Sequence, residues 1–292
     1  MSRELRLPAG GPGGGARLNA HCWPVVTPRG VVVLVHGYAE HLGRYEHVAA
    51  RLNAAGLAVY ALDHWGHGQS EGEGGFVPAF AAFTRGVEAL LDMVKAELPG
   101  VPRVLIGHSM GGLIAVHHLI SHQADYACAV LSGPAIAAAE PPGAMMIFVS
   151  RLLSRLAPRL GVLALDTGGV SRDPAVVAAY VADPLVYSGK MSARLAKEMF
   201  EAMGAAQAGA GKISLPLLML HGEADRLTAP EGSRLLDRTV ASKDKQLVIY
   251  PGLYHEIFNE PEQGAVLDQM VGWIVERLPA GGSALEVWKN DA

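Results

Sequence analysis

A serine flanked by small residues stands at the junction of a strand-like run and a helix-like run. The segment GHSMG at 107–111 directly follows the apolar stretch VPRVLI and opens the helical pattern MGGLIAVHHLI. A tight turn from strand to helix crowds the backbone around its central residue, so small neighbours are required and Ser109 is exposed at the carboxyl end of the strand. This context predicts a nucleophilic serine. The alternative is a serine that only caps the helix.

A serine hydroxyl is a weak nucleophile at neutral pH and needs a general base that a third group holds in one tautomer. His255 follows the run KQLVIY and is the only histidine after His221, while Asp225 follows the run LPLLML. Because both loops leave the carboxyl ends of strands, we expect Ser109, Asp225 and His255 to meet at one edge of a sheet. Glu223 is the alternative acid, and His221 is expected to precede a tight glycine turn.

Attack on an ester carbonyl also requires hydrogen-bond donors for the developing oxyanion. One candidate is the backbone N–H of Met110, which follows the serine and begins a helix whose dipole favours negative charge. The other is the backbone N–H of Tyr38, because His36 and Gly37 allow a close approach of the loop that follows VVVLV. Both donors belong to the main chain, so side-chain identity at these two positions should matter little.

The remaining histidines do not predict a metal site. Asp63, His64 and His67 could bind a metal by their spacing, but they lie in a glycine-broken turn without a matching third ligand group. His117 and His118 lie inside a helical pattern, where we expect packed or surface side chains and not ligands. We therefore predict no metal ion.

The chain alternates short β-branched runs with longer segments of helical period. Strands are predicted at 31–37, 57–64, 101–107, 126–133, 215–222 and 245–252, and helices at 44–55, 83–98, 110–122 and 262–278. Runs that are apolar on both faces and separated by helices predict a mostly parallel central sheet flanked by helices. Near the amino terminus, GGPGGGA is expected to be a flexible loop that links two edge strands, ELRLP and ARLNAHCW.

One stretch interrupts this alternation. Residues 134–210 contain helical patterns with Pro and Gly punctuation and no strand-like run, so we predict a helical cap inserted into a core formed by 1–133 and 211–292. One amphipathic helix of this cap carries Arg151, Arg155 and Arg159 opposite Phe148, Leu152, Leu153, Leu156 and Leu160. We favour packing of its apolar face on the core. The alternative is an exposed face that admits an apolar ligand or touches a membrane surface.

Composition excludes several classes of protein. The 292 residues include 24 Lys+Arg and 28 Asp+Glu, a net charge of −4, without the clustered basic excess of a nucleic-acid binder. Half of the residues are hydrophobic and 18% are charged, which excludes intrinsic disorder. We find neither a secretory h-region nor a bilayer-spanning stretch, and we expect a cytoplasmic protein. Cys22 and Cys128 are expected to be buried thiols.

Together these motifs resemble those of the monoacylglycerol lipases of the α/β-hydrolase fold, and the actinobacterial members most of all. The resemblance covers roughly 23–278. It rests on HGYAEHLGRY at 36–45, DHWGHGQSE at 63–71, GHSMGG at 107–112, SRDPAVVAAYVADPLVY at 171–187, HGEADRLTAPEGS at 221–233 and YPGLYHEIFNEP at 250–261. It implies an α/β-hydrolase core with an inserted cap, hydrolysis of a monoacylglycerol to glycerol and a free fatty acid, and no cofactor.

The resemblance implies the same triad and oxyanion donors as the residues themselves predict. It also implies that Glu40, Arg44 and Tyr180 lie near the glycerol end of the substrate. The alternative for Glu40 and Arg44 is a structural ion pair that supports the oxyanion loop. Phe258 stands where vertebrate members have a second histidine, so contacts with glycerol are expected to be fewer.

The implied partner is a lipid substrate, and no nucleic acid is expected. We expect the cap to form an apolar tunnel for the acyl chain, with Met145, Met146, Phe148 and Leu152 among its lining, and to permit transient, peripheral contact with a membrane surface. Two other functions stay open. One is a broader carboxylesterase or lysophospholipase with the same triad, and the other is a ligand receptor built on a hydrolase scaffold.

Overall fold

The described part of the chain folds into an eight-stranded sheet covered by helices, with a smaller two-stranded sheet beside it. The structure is a computed structural model that describes residues 2–8, 17–139 and 144–279, and it describes only the backbone of 144–148. The strands are β1 (Arg3–Pro8), β2 (Arg17–Trp23), β3 (Gly30–Val35), β4 (Leu57–Leu62), β5 (Arg103–His108), β6 (Cys128–Ser132), β7 (Gly161–Leu163), β8 (Met191–Ser192), β9 (Leu217–Gly222) and β10 (Lys245–Tyr250). The α-helices are α1 (Glu46–Ala54), α2 (Ala81–Glu97), α3 (Met110–His122), α4 (Ala144–Leu156), α5 (Pro174–Ala182), α6 (Ala193–Gly209), α7 (Pro230–Thr239) and α8 (Gln263–Arg277).

The large sheet has the strand order β1-β2-β4-β3-β5-β6-β9-β10. All pairs from β4 to β10 are parallel, whereas β1 pairs with β2 and β2 with β4 in the antiparallel sense. This confirms the predicted mostly parallel sheet. Both strands expected at the amino terminus form, but only β1 is an edge strand, because β2 lies between β1 and β4. The GGPGGGA segment that was expected to link β1 and β2 lies outside the described residues.

The two faces of the sheet bury two separate apolar clusters. In β3, Val31, Val33 and Val35 belong to the cluster that includes residues of α2 and α3, whereas Val32 and Leu34 belong to the cluster that includes residues of α1 and α8. Successive side chains of a strand point to opposite faces, so a strand covered by helices on both sides must be apolar throughout. The cysteines follow the same rule, since both are buried, free thiols as predicted.

The segment predicted to be a cap differs from expectation in two respects. It contains a short antiparallel pair, β7 with β8, where no strand was predicted; strands of three and two residues are too short to leave a periodic signal. The predicted stripe of three arginines is also interrupted, because α4 ends at Leu156. Pro158 cannot continue a helix, and Arg159 lies beyond it with its guanidinium 4.5 Å from the ring centre of Phe76.

The prediction that the apolar face of α4 packs on the core is wrong for two of its leucines. Leu152 is 47% exposed and Leu156 is 74% exposed, whereas Ser150 and Ser154 are buried. The helix packs against α6, and Arg194 of α6 donates from Nη2 to the backbone carbonyl of Ser154 at 2.9 Å. Small serines allow this close approach, so the contact faces the serines and leaves the leucines exposed. None of the helices in the described ranges combines the length and the apolar character that a bilayer crossing requires.

Candidate active site

Ser109 occupies a strained turn between β5 and α3. Its φ is 54° and its ψ is −119°, a backbone conformation that a residue with a side chain rarely adopts. The flanking glycines explain how the turn fits. A Cβ added at Gly111 would lie 2.1 Å from the carbonyl oxygen of Val35, and one at Gly107 would lie 2.5 Å from the carbonyl oxygen of Gly111. The sequence GHSMG therefore matches the backbone that presents the serine at the carboxyl edge of the sheet.

Asp225 and His255 lie together in the loops that follow β9 and β10. The Nδ1 atom of His255 is 2.7 Å from Oδ2 of Asp225. The carboxylate also accepts from the backbone N–H of Leu227 at 2.8 Å and from the N–H and hydroxyl of Thr228 at 3.0 and 2.9 Å. Glu223, the alternative acid, is exposed. The geometry therefore favours Asp225 as the partner of the histidine.

The pKa values of Asp225 and His255 shift in opposite directions. Burial alone would raise the pKa of Asp225, but the charge of His255 and hydrogen bonds from His221 and His255 hold that pKa well below its usual range. Burial alone would lower the pKa of His255, but the charge and hydrogen bond of Asp225 outweigh it and raise that pKa. His108, whose ring centroid is 4.8 Å from that of His255, stays neutral because burial and that neighbour lower its pKa to about 3.

A cavity of about 790 Å³ opens over these groups. Ser109, His255, Tyr38 and Met110 all line it. No hydrogen bond joins Ser109 to His255 within the described residues. In the same part of the chain, the backbone N–H groups of Tyr38 and Met110 donate to no protein acceptor, so both are available to a ligand in the cavity. The structure thus brings Ser109, His255 and the two predicted donors to one cavity, with Asp225 behind His255 and outside the lining.

Glu40, which lines the cavity, lies at the centre of a buried network of hydrogen bonds and ion pairs. Its Oε1 accepts from the backbone N–H of Gly37 at 2.6 Å and from the hydroxyl of Tyr45 at 2.7 Å, and its Oε2 lies 2.9 Å from Nη1 of Arg44. Arg44 also forms a bidentate pair with Glu256, at 2.6 and 2.7 Å. Burial alone would raise the pKa of Glu40, but the charge of Arg44 lowers it. Glu40 therefore holds the backbone of the loop that carries Tyr38.

Tyr180 joins this network from α5. The guanidinium of Arg44 lies 4.6 Å from its ring centre, and Tyr180 is buried at the cavity wall. Arg44 itself is not among the lining residues, whereas Glu40 and Glu256 are. Sequence reasoning missed Glu256. The only available signal was an acid immediately after the candidate base, which is too common to be informative.

The largest apolar side chains of the cavity lining come mainly from α6. The lining includes Met191, Met199, Phe200, Met203 and Leu163. Met199 and Met203 are four residues apart and therefore share one helix face, but this spacing equally suits a packed core face. Of the lining residues proposed from sequence, Leu152 does not line the cavity, and the side chains of Met145, Met146 and Phe148 lie outside the described residues.

The turn at 63–70, considered above for a metal, holds loops together. Asp63 accepts from the backbone N–H of Leu42 at 2.8 Å, from the amide of Asn19 at 2.9 Å and from the N–H of Gln69 at 2.9 Å. The N–H of His64 donates to Nε2 of His36 at 3.0 Å. These contacts fix the turn beside the loop that carries Tyr38.

Comparison with known proteins agrees with this architecture. The family described as "Serine aminopeptidase, S33" matches residues 26–262. The chain is 47% identical to a monoacylglycerol lipase of Mycolicibacterium smegmatis over 91% of this chain and 95% of that protein. It is 34% identical to the human monoglyceride lipase over 89% of this chain and 87% of that protein. A crystal structure of the Paleococcus ferrophilus monoacylglycerol lipase superposes with a TM-score of 0.82 at 34% identity, covering 89% of this chain and 99% of that one.

Ser109 lies in the turn after β5, and the loops that carry Asp225 and His255 follow β9 and β10 and open on the same cavity. This arrangement at the carboxyl edge of a mostly parallel sheet defines a serine hydrolase of the α/β-hydrolase fold. The chain belongs to the serine aminopeptidase S33 family and, within it, to the monoacylglycerol lipases.

Proposed function

We propose that this chain is a carboxylic ester hydrolase that cleaves monoacylglycerols to glycerol and a free fatty acid. The observation that carries the proposal is the 2.7 Å contact between His255 and Asp225 at the wall of a cavity that also contains Ser109. The cavity lining combines the polar groups of Glu40 and Tyr180 with apolar side chains of α6, which matches a substrate with a small triol head and a long acyl chain. The relatives named monoacylglycerol and monoglyceride lipase support the same substrate.

The proposed mechanism follows from the orientation of the imidazole. Because Nδ1 of His255 is bonded to Asp225, Nε2 is the atom available to take the proton of Ser109 as the serine attacks the ester carbonyl. The oxyanion binds to the backbone N–H groups of Tyr38 and Met110. His255 then returns the proton to the departing glycerol oxygen, and water repeats the sequence on the acyl-enzyme. No cofactor takes part in these steps.

The three residues proposed for the glycerol end act differently. Glu40 and Tyr180 line the cavity and can meet hydroxyl groups, since a carboxylate accepts and a phenol both donates and accepts. Arg44 acts through them, because its guanidinium is held by Glu40, Glu256 and the ring of Tyr180. Phe258, which replaces the second histidine of vertebrate members, is buried in the apolar core and does not line the cavity.

We assign residues 1–133 and 211–292 to the hydrolase core and residues 134–210 to the cap. Apolar side chains exposed on the described part of this segment support contact with a lipid surface: Val149, Leu152, Leu156, Leu160, Val162, Leu163 and Val181. Exposed apolar groups of this kind are a common feature of proteins that bind the interface of a bilayer. The proposed contact is transient and peripheral, and it delivers substrate from the lipid to the cavity.

The contact is tested with the double variant Leu152→Ser/Leu156→Ser. We expect weaker sedimentation with phosphatidylglycerol-containing vesicles and unchanged hydrolysis of a short, soluble ester. The matched control is Val26→Ser, which removes an exposed apolar side chain outside the cap and should leave vesicle binding unchanged. Equal vesicle binding by the double variant and the wild type would contradict the proposal.

The function is tested by a substrate series together with labelling of the serine. A fluorophosphonate should add one adduct to the wild type and none to Ser109→Ala, and that variant should lose about six decades of kcat. Turnover should be greater for monoacylglycerols than for diacylglycerols, triacylglycerols, lysophospholipids or short p-nitrophenyl esters. Preference for lysophospholipids or short esters would indicate the broader esterase. Slow turnover, with ligand-dependent partner binding that survives in Ser109→Ala, would indicate the receptor.

A further inference from the structure

Two histidines and a glutamate converge between α2 and α3, away from the catalytic cavity. Glu88, His118 and His122 each place one potential ligand atom within 4.8 Å of the others. The two histidines are separated by one helical turn, and their rings are stacked, with centroids 4.5 Å apart and planes 5° apart. None of the three residues lines the catalytic cavity. At about 1.5 Å per residue, His118 and His122 lie roughly 14–20 Å along α3 from Ser109.

The ring nitrogens of this cluster are incompletely satisfied. Nδ1 of His118 and Nδ1 of His122 are both buried, and neither has a hydrogen-bond partner. Glu88 forms no ion pair within the described part of the chain. Buried polar atoms are normally paired, because leaving one unpaired costs the free energy of its lost hydration. Two buried, unpaired nitrogens beside the carboxylate of Glu88, which is partly exposed, therefore point to a common partner that accepts electron pairs.

The surroundings of His118 match those of a metal ligand. Its Nε2 lies 2.9 Å from the hydroxyl of Tyr126. A metal-binding histidine commonly donates its second ring N–H to such a group, which fixes the tautomer and leaves the other nitrogen with a free lone pair. With Nε2–H donated to the tyrosine oxygen, Nδ1 of His118 keeps a free lone pair and can act as an electron-pair donor.

We propose that Glu88, His118 and His122 form a binding site for a divalent transition-metal ion, with Zn²⁺ as the ion of choice. Two imidazole nitrogens and one carboxylate oxygen are ligands that Zn²⁺ accepts, and water completes a tetrahedral set. Metal bonds of about 2.0–2.2 Å require the three ligand atoms to approach to about 3.4 Å, so on binding the two imidazole rings must turn out of their stacked arrangement. The ion joins α2 to α3 and stabilises the fold. The proposal departs from the expectation from sequence that His118 is a packed or surface residue and not a ligand.

The test uses the full chain without a histidine tag, stripped with a chelator and titrated with Zn²⁺ by calorimetry. We expect one ion per chain and, at a hundredfold excess over Kd, a rise in Tm of about 5 °C. Glu88→Gln and His122→Gln, both partly exposed positions, should each weaken binding at least about tenfold. The control is His47→Gln on α1, which should bind as the wild type does. Absence of binding to the wild type, or wild-type affinity in both Glu88→Gln and His122→Gln, would overturn the proposal.

A second measurement does not depend on the variants. Cu²⁺ added to the stripped wild type should give an electron paramagnetic resonance spectrum with hyperfine coupling to two directly bound nitrogens. A spectrum without nitrogen coupling would contradict the site. So would metal binding that disappears when the fluorophosphonate occupies Ser109, because that result would place the ion in the catalytic cavity. Neither outcome bears on ester hydrolysis, so failure here is distinct from failure of the proposed function.

Discussion

Replacement of Asp225 by Asn is the substitution that most directly separates the proposed acid from its alternative. The amide keeps an oxygen to accept from the N–H groups of Leu227 and Thr228, at 2.8 and 3.0 Å in the wild type, so the loop should retain its shape. The NH2 group then faces Nδ1 of His255. It forces Nδ1 to accept a hydrogen bond and moves the ring proton to Nε2, which can no longer take the proton of the serine.

The expected loss is about four decades of kcat, which corresponds to about 5 kcal/mol of transition-state stabilisation. The matched control is Glu223→Gln, which removes the exposed alternative acid two residues earlier and should leave kcat within a factor of about two. Both variants are assayed with the same soluble monoacylglycerol, and circular dichroism checks the fold. If Glu223→Gln loses the activity and Asp225→Asn keeps it, the assignment of the acid is wrong.

The pH profile provides an independent check with a definite sign. Asp225 raises the pKa of His255, so the acid limb of kcat/KM in the wild type should lie above the ordinary histidine value of about 6.5. Activity is present above this pKa, where the base is neutral, and falls as the pH drops through it. Without the carboxylate, burial lowers the pKa of His255 against only the weaker opposing charges of Glu256 and Glu40, so the acid limb of the residual activity should move to lower pH. A limb that stays in place would refute the electrostatic reasoning.

Two further changes test the architecture around the site. Gly111→Ala should destabilise the fold by at least about 3 kcal/mol, because its Cβ would meet backbone oxygens that cannot move aside. The control is Gly272→Ala in α8, where a Cβ meets nothing within 4 Å, and this change should be neutral or stabilising by up to about 1 kcal/mol. Equal Tm values for the two variants would contradict the packing argument. Arg44→Met should cost about 3–5 kcal/mol in urea unfolding, because it leaves Glu40 and Glu256 buried without their counter-ion. Its control, Arg51→Met, breaks an exposed ion pair with Asp268 and should cost less than about 1 kcal/mol. Similar losses of unfolding free energy in both variants would show that the Arg44 network stabilises the fold no more than a surface ion pair does.

The central sheet was predictable because its strands carry a local signal. A strand buried on both faces must be apolar throughout, as VVVLV in β3 is, and its helical neighbours must repeat every three to four residues. The turn between β5 and α3 was predictable for a related reason. The positive φ of Ser109 and the close approach at Gly111 leave few residue types possible at these positions. The family resemblance added Glu40, Arg44 and Tyr180, which no local pattern distinguishes.

The orientation of α4 was not predictable in this way. An amphipathic pattern shows which face is apolar, but it does not show which neighbour the helix meets, and here contact with α6 buries serines and leaves Leu152 and Leu156 exposed. The same holds for β7 and β8, since strands of two or three residues form only where another segment offers a partner. Both depend on contacts between segments far apart in the chain.

The sequence by itself determined which residues could do chemistry and at which edge of the sheet they would emerge, because backbone geometry and burial constrain each residue type locally. Only the tertiary structure decided how these side chains pair. The 2.7 Å contact of His255 with Asp225, the clamp of Glu256 on Arg44 and the meeting of Glu88 with two histidines of α3 all join separate elements. Such distances depend on how whole helices and loops pack, and no short stretch of sequence carries that information.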